Sequence, residues 1–466
     1  MTRRAAIVAG IAAGVAACVP SGRALRAPVD TELARRLAFA PEAAADDAAA
    51  ARVVDDLLGR PLDADAAVRI ALANSPRVRA AFAEIGVAAG GLAVALGLLD
   101  VDGALRFGGG HVETELTVVQ NLMGFFTAAR QRAAGRADVA SARARAAATS
   151  PRRAARVEVA FHNLLAAQQE VELRRTAFDA ADAAAALRER MHAAGNTPAL
   201  ALARDRDARG QARLDAGRAE AAVEIARERL NGLLGLSGDR TKWTAAGRLA
   251  RPPAAAPALD DLETAAIAAS LDVVAANAGV EAAANRAAEA RLRAVVPHLG
   301  VGVAFEKLPG DTTVGPALRL GLPLLDWSAG ARARTRAEQS RASHELTAVA
   351  VELRAQARAA RVAALAAHQQ ARHIEDVILP LRQQIVDETL KHYNAMDADP
   401  FSLILARREL VDAGNQYLDA LRRYANAMTA ATALRRGAGI DELDAGAAPT
   451  SRTTPTTTRT GGHVEP

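Results

Sequence analysis

The stretch Val101-Asp102-Gly103-Ala104-Leu105-Arg106-Phe107 alternates with a period of two. Val101, Gly103, Leu105 and Phe107 fall on one face, and Asp100, Asp102, Ala104 and Arg106 on the other. That separation belongs to an extended chain, whose successive side chains point to opposite faces. Gly108-Gly109-Gly110 then turns the chain, and Val112, Thr114, Leu116 and Val118 follow opposite Glu113, Glu115 and Thr117. The device returns later: Leu299, Val301, Val303 and Phe305 alternate with His298, Gly300, Gly302, Ala304 and Glu306. Past a loop at 308–313, Val314, Pro316, Leu318, Leu320 and Leu322 alternate with Gly315, Ala317, Arg319 and Gly321. Each run is roughly 8 to 11 residues, enough for a tilted strand to cross a bilayer. Two hairpins packed on helices would satisfy the same pattern. In lipid the consequence is sharper. Four strands cannot close a barrel wide enough for a solute, and an open sheet leaves backbone groups unpaired at several kcal/mol each. A transmembrane reading therefore requires several chains, each giving four strands. Phe107, Phe125, Phe126, Phe305 and Trp327 fall near strand ends, where a membrane interface favours aromatics.

The hairpins sit in a chain written twice. Ala71-Leu72-Ala73-Asn74-Ser75-Pro76-Arg77-Val78 returns as Ala266-Ile267-Ala268-Ala269-Ser270-Leu271-Asp272-Val273, an offset of 195. Val118-Val119-Gln120-Asn121-Leu122 aligns with Leu320-Gly321-Leu322-Pro323-Leu324, and Pro198 with Pro400, both at an offset of 202. A duplicated unit of about 200 residues overrides the count of three domains that 466 residues would otherwise imply. Each unit reads as a helical stretch, two strands, a very long helix, a turn and a returning helix. The long helices span about 128–191 and 328–393, and the returning ones about 199–236 and 401–436. Some 65 residues at 1.5 Å each reach about 100 Å, far beyond a globular helix. Small Ala side chains permit close packing, with Leu, Ile and Val as the seam. Pro151 and Pro380 should kink the two long helices. Aromatics are only 3% of the residues, which suits thin helices better than a thick core.

The amino terminus reads as an address. Arg3 and Arg4 precede an apolar run that ends in Val15-Ala16-Ala17-Cys18. This is a signal peptide, too short to span a bilayer permanently. It resembles a bacterial lipobox, in which cleavage before the cysteine leaves Cys18 to carry lipid; an ordinary signal peptide cut at the A-x-A pattern is the plainer reading. The chain has one Cys, which excludes an intrachain disulfide. Export and a small, dispersed excess of 58 basic over 53 acidic residues argue against nucleic acid. The chain divides into a signal peptide (1–17), a lipidated extension (18–61), a first repeat (62–236), a linker (237–257), a second repeat (258–443) and a disordered tail (444–466).

At this point the sequence resembles the TolC-like outer-membrane efflux proteins over about 62–437. The residues that carry the resemblance are Ala71-Leu72-Ala73-Asn74-Ser75-Pro76, the passage Gly321-Leu322-Pro323-Leu324-Leu325-Asp326-Trp327, and the turn Tyr393-Asn394-Ala395-Met396-Asp397. Leu403, Ala406, Leu410, Tyr417, Leu421 and Tyr424 follow as in that family's last helix. The resemblance implies a mainly α fold with a small transmembrane β part. It implies a homotrimer whose strands close a 12-stranded β-barrel in the outer membrane, continued by a helical barrel through the periplasm. It implies docking to a periplasmic adaptor protein and an inner-membrane pump, with the channel itself passive. Pro151 departs from a usually continuous helix, and Met396 stands where a Gly is common; the first turn keeps it, as Ala194-Gly195-Asn196.

In that family the turns at the periplasmic tip constrict the pore. The gate candidates are therefore Gly195 and Asn196 in the first turn and Asp397 and Asp399 in the second. Around a threefold axis the two aspartates would form rings of like charge that attract cations. Asp is also common in ordinary turns. His192 and His392 flank the tips without a metal-binding spacing, and read as exposed structural histidines. No nucleophile elbow or phosphate loop appears, so neither an enzyme nor a cofactor is expected. The rivals are a periplasmic adaptor, which lacks two equivalent halves, and a structural coiled-coil lipoprotein, which needs no strands.

Overall fold

The computed structural model describes residues 22–37, 47–94, 99–108, 111–295, 298–308, 311–321 and 329–439. Cys18, the signal peptide and the tail at 444–466 lie outside them, as does Trp327. The alternating segments form strands β1 (Leu99–Gly108), β2 (His111–Asn121), β3 (His298–Leu308) and β4 (Asp311–Gly321). They make one antiparallel sheet in the order β1-β2-β3-β4. The register carries the sequence pattern across all four. Val118 lies opposite both Val101 and Val303, and Leu116 opposite both Gly103 and Phe305. Val301, Val303 and Phe305 lie opposite Leu318, Pro316 and Val314. Val301, Val303, Phe305, Val314 and Leu318 are exposed, Leu318 to 73%, while Gly302, Ala304, Gly315 and Ala317 between them are half-buried. One face of the second hairpin is thus apolar and uncovered, the pattern of an interaction or membrane surface. The side chains of Phe107, Phe125 and Phe126 lie outside the described set. Among the described residues β1 and β4 each have one strand neighbour, so there the sheet ends in two open edges.

Helices flank each of the two hairpins. α1 (Gly22–Leu37) and α2 (Asp47–Leu58) come first. α3 (Ala64–Asn74) and α4 (Pro76–Val94) lead into β1; β2 passes straight into α5 (Leu122–Ala193), which returns as α6 (Ala199–Leu234). α7 (Leu262–Ala269) and α8 (Leu271–Val295) lead into β3. After β4, α9 (Ala329–His373) runs through a π turn (Ile374–Ile378) into α10 (Leu379–Asn394), which returns as α11 (Pro400–Arg435). The plan repeats, down to returning helices of 36 residues each. Both short-helix junctions use a buried serine: Ser75 Oγ accepts from the Val78 amide at 3.5 Å, and Ser270 Oγ from the Val273 amide at 3.2 Å. α5 has 72 residues, roughly 110 Å of helix, and continues through Pro151. Pro380 lies just past the π turn. A proline gives no amide to the preceding turn, and a single wide turn absorbs that mismatch without ending the helix.

α5 is the spine. It packs against α1, α3, α4, α6, α8 and α11. Val157, Phe161 and Leu164 of α5 join Ile70, Leu230 and Leu234 in one buried cluster. Buried alanines such as Ala146, Ala148 and Ala154 let neighbouring helices come close. α9 packs on α8 and α11, and α10 on α11. The helices therefore form a row with α4 and α6 at one margin and α9 and α10 at the other. Both margins keep large apolar side chains exposed: Leu214 and Ile225 on α6, Val351 and Val362 on α9, Leu381 on α10. No single helix among the described residues is long and apolar enough to cross a membrane; α7 and α8 reach that composition only as a bent pair.

The extension and the linker carry structure that periodicity did not reveal. α1 buries Leu25, Val29, Leu33 and Leu37 in the main core. In the linker, Trp243 is buried and donates from Nε1 to Asn231 Oδ1 at 2.8 Å, while Leu62 bridges to Ala245. The ends of the two returning helices are held by analogous donors. Asn74 Nδ2 donates to the carbonyls of Leu234 and Gly235 at 3.0 and 2.8 Å. In the second unit the residue corresponding to Asn74 is Ala269, and Arg36 of α1 supplies the donor instead. Its Nη1 reaches the carbonyls of Ala269 and Arg436 at 2.7 and 2.9 Å. Gly437 follows with φ +83°, and a Cβ there would meet the Ala269 oxygen at 2.2 Å, so only glycine fits. Arg36→Met should remove these two bonds at about 1–3 kcal/mol. Hydrogen exchange should speed up at the amides of Leu271 and Gly437, which close this junction, and Asn74→Ala should act likewise at Leu236 in the first unit. Unchanged exchange would show that the carbonyls need neither donor.

Candidate functional site

At the end of the row farthest along the chain from the sheet, α5 turns into α6 and α10 into α11. The two turns share one geometry. The Asn196 amide donates to Met191 O and the Asp397 amide to His392 O, both at 2.9 Å; one residue earlier, Gly195 donates to His192 O and Met396 to Tyr393 O. This is the closing pattern of a helix whose next residue is left-handed. Gly195 has φ +78° and Met396 φ +61°. Met396, where the first turn has glycine, keeps the same conformation with its side chain 95% exposed. A left-handed residue other than glycine is strained by about 1–2 kcal/mol.

The four gate candidates occupy these turns, and the structure gives each aspartate a bonding partner. Asp397 Oδ2 lies 2.8 Å from His392 Nδ1, with both side chains exposed. Asp399 is the N-cap of α11: it accepts from the Phe401 and Ser402 amides at 2.7 and 3.3 Å, and from Ser402 Oγ at 2.9 Å. The Ser402 hydroxyl does most to hold the Asp399 carboxyl below its usual value; burial opposes it, and the Phe401 and Ser402 amides add to it. Gly195 supplies the left-handed turn residue and Asn196 closes the first turn through its amide. His192 Nδ1 lies 2.7 Å from Thr197 O, a contact within its own turn.

Sequence reasoning missed Arg188. It pairs with Asp205 of α6 at 2.5 Å, and its guanidinium stands 2.9 Å from the centre of the Phe401 ring on α11. One side chain thus fastens both helical hairpins. The available signal was Phe401 itself, an aromatic placed right after Pro400 in a chain with few aromatics. Arg206–Glu189 at 2.9 Å and Arg382–Glu409 tie each hairpin internally. Between the hairpins lies a cavity of about 720 Å³, walled by Ala181, Ala184, Val386, Leu390, Ile404 and Leu405 among others. The arrangement is two turns held side by side, the second carrying the carboxylates of Asp397 and Asp399.

This combination of a four-stranded sheet, a duplicated row of very long helices and paired turns matches the TolC-like helical-barrel fold. No family model and no curated protein matches the chain. Solved structures do. The outer membrane protein VceC from Vibrio cholerae is similar at a TM-score of 0.67 and 15% identity, over 81% of this chain and 97% of that one. The Campylobacter jejuni CmeC outer membrane channel gives 0.65 and 14%, over 81% and 87%. The outer-membrane channel OprN gives 0.64 and 18%, over 83% and 92%.

Asp399→Ala should cost about 0.5–2 kcal/mol of local stability at the start of α11, and Asp399→Asn much less, because Asn also caps. The folded carboxyl is held low, so this stabilisation is complete above the ordinary carboxylate range and disappears as pH falls through the depressed value. Hydrogen exchange at the Phe401 and Ser402 amides measures both effects; equal protection in the Ala variant would remove the cap from the account.

Proposed function

We propose that this chain is one third of a passive outer-membrane channel of a tripartite export system. Three copies each give four strands to a 12-stranded barrel and their helices to a tunnel through the periplasm. Cys18 carries the lipid anchor. The helical turns meet a periplasmic adaptor protein, an inner-membrane pump supplies the energy, and Gly195, Asn196, Asp397 and Asp399 line the gate.

The observation that carries this reading is the sheet. Its second hairpin has an exposed apolar face, its two edges have no strand partner among the described residues, and it is continuous with a helix of roughly 110 Å. Each unpaired edge group in hydrocarbon costs several kcal/mol, so the edges of β1 and β4 need partners. Neighbouring copies supply them in a head-to-tail ring. The exposed apolar residues on α6 and on α9 and α10 are then the two sides of the same contact. The fold shared with solved outer-membrane channels supports the same reading.

Purified protein reconstituted in planar bilayers should give discrete conductance steps; absence of steps from correctly folded protein would overturn the channel. In that assay Asp397→Asn with Asp399→Asn, which keeps the cap, should change conductance or block by divalent cations. Unchanged conductance and block would take the aspartates out of the gate. Leu318→Lys puts a charge on the apolar face, at about 2–4 kcal/mol near a bilayer midplane. It should lower the yield of membrane-inserted protein several-fold, and normal insertion would argue that this face does not meet lipid.

A further inference from the structure

Arg77 of α4 and Arg152, Arg153 and Arg156 of α5 wall one cleft of about 210 Å³, and no acidic residue lines it. Four guanidiniums on one small cavity repel one another unless negative charge lies among them. Arg152 has such a partner in Asp272. Arg153 donates from Nη2 to Leu233 O at the carboxyl end of α6, but its Nε is buried without a partner. Among the described residues, no ion pair joins Arg77 or Arg156 to a carboxylate. Burial lowers the Arg153 pKa, and the like charges of Arg77 and Arg156 push the same way.

The main chain adds a donor at the same place. α4 begins at Pro76, which has no amide. The Val78 amide goes to Ser75 Oγ at 3.5 Å and the Arg79 amide to Ser75 O at 3.2 Å. The Arg77 amide is left as a first-turn donor with no partner in its own helix. Acids close by are committed elsewhere. Glu158 pairs with Arg436 at 3.4 Å. Glu345 and Glu352 of α9 line a separate cavity of about 510 Å³, which shares only Thr149 and Arg152 with the cleft.

We infer that the cleft binds a phosphate group, held between Arg77 of α4 and Arg153 and Arg156 of α5. A guanidinium presents its donors as a planar fork that takes two oxygens at once. A phosphate monoester or free phosphate offers at least three such oxygens and close to two negative charges at neutral pH, more than a chloride or one carboxylate can bring. The same group reaches the cleft either as the free ion or as the headgroup of a phosphatidic-acid-type lipid. Bound there, it ties the start of α4 to the middle of α5, where Arg153 also holds the end of α6.

Arginine modification by phenylglyoxal, read residue by residue by mass spectrometry on the purified full chain, tests this independently of the channel reading. Ionic strength is held constant with chloride. Inorganic phosphate should slow Arg77 and Arg156 several-fold and saturably, with the remote, exposed Arg190 unchanged. Monomeric short-chain phosphatidic acid carries the same group: protection at lower concentration than phosphate assigns the site to lipid, and protection only at equal or higher concentration assigns it to the free ion. In Arg156→Gln, most of the phosphate protection of Arg77 should disappear; the wild-type titration decides on its own if that variant does not fold. Rates at Arg77 and Arg156 that neither probe changes would overturn the site. So would slowing shared equally by Arg190, the mark of an adventitious ion only, or full protection of Arg77 in the folded variant.

Discussion

The whole architecture depends on where the backbone groups at the two sheet edges find hydrogen-bond partners. Among the described residues β1 and β4 each pair on one side only. In water such edges are a nuisance; in hydrocarbon they are prohibitive. A four-stranded sheet is too narrow to roll up and satisfy itself. In the channel proposed above, identical copies solve this. Such a ring would need the same pair of margins on every subunit, and the helical row has two margins with uncovered apolar side chains, on α6 at one and on α9 and α10 at the other. The helices extend the same row away from the sheet, so in that proposal closing the barrel would also close the tunnel.

Duplication makes this economical, because one plan builds both halves, but the halves are not interchangeable. The same junction is closed by Asn74 in the first unit and by Arg36, borrowed from α1, in the second. The same left-handed turn position is Gly195 in one and Met396 in the other. At the junction the second unit has acquired a support from outside itself, the Arg36 side chain of α1.

The strands were legible because a period of two over roughly ten residues has no other physical explanation, and the register places Val101, Val118 and Val303 together as that pattern demands. The long helices were legible from length and alanine content. What stayed hidden depends on contacts far apart in sequence. α1 contains Pro28 and several charges, and its helix is supported by burying Leu33 and Leu37 in a core formed by distant residues. The π turn before Pro380 trades one proline's missing amide against continuity of a helix packed on both neighbours. At the tips, the aspartates stood out in the sequence, yet capping and the His392 pairing are local geometry that a list of charges does not contain. Arg188 was invisible because its two partners, Asp205 and Phe401, meet only after both hairpins fold.

The most direct test of the central constraint is the mass of the detergent-extracted protein by sedimentation equilibrium with the detergent density-matched. The account requires three chains per particle with the sheet intact. A particle of one chain that retains its strands and remains stable in lipid-like detergent would contradict it, since a lone sheet would then tolerate two open edges.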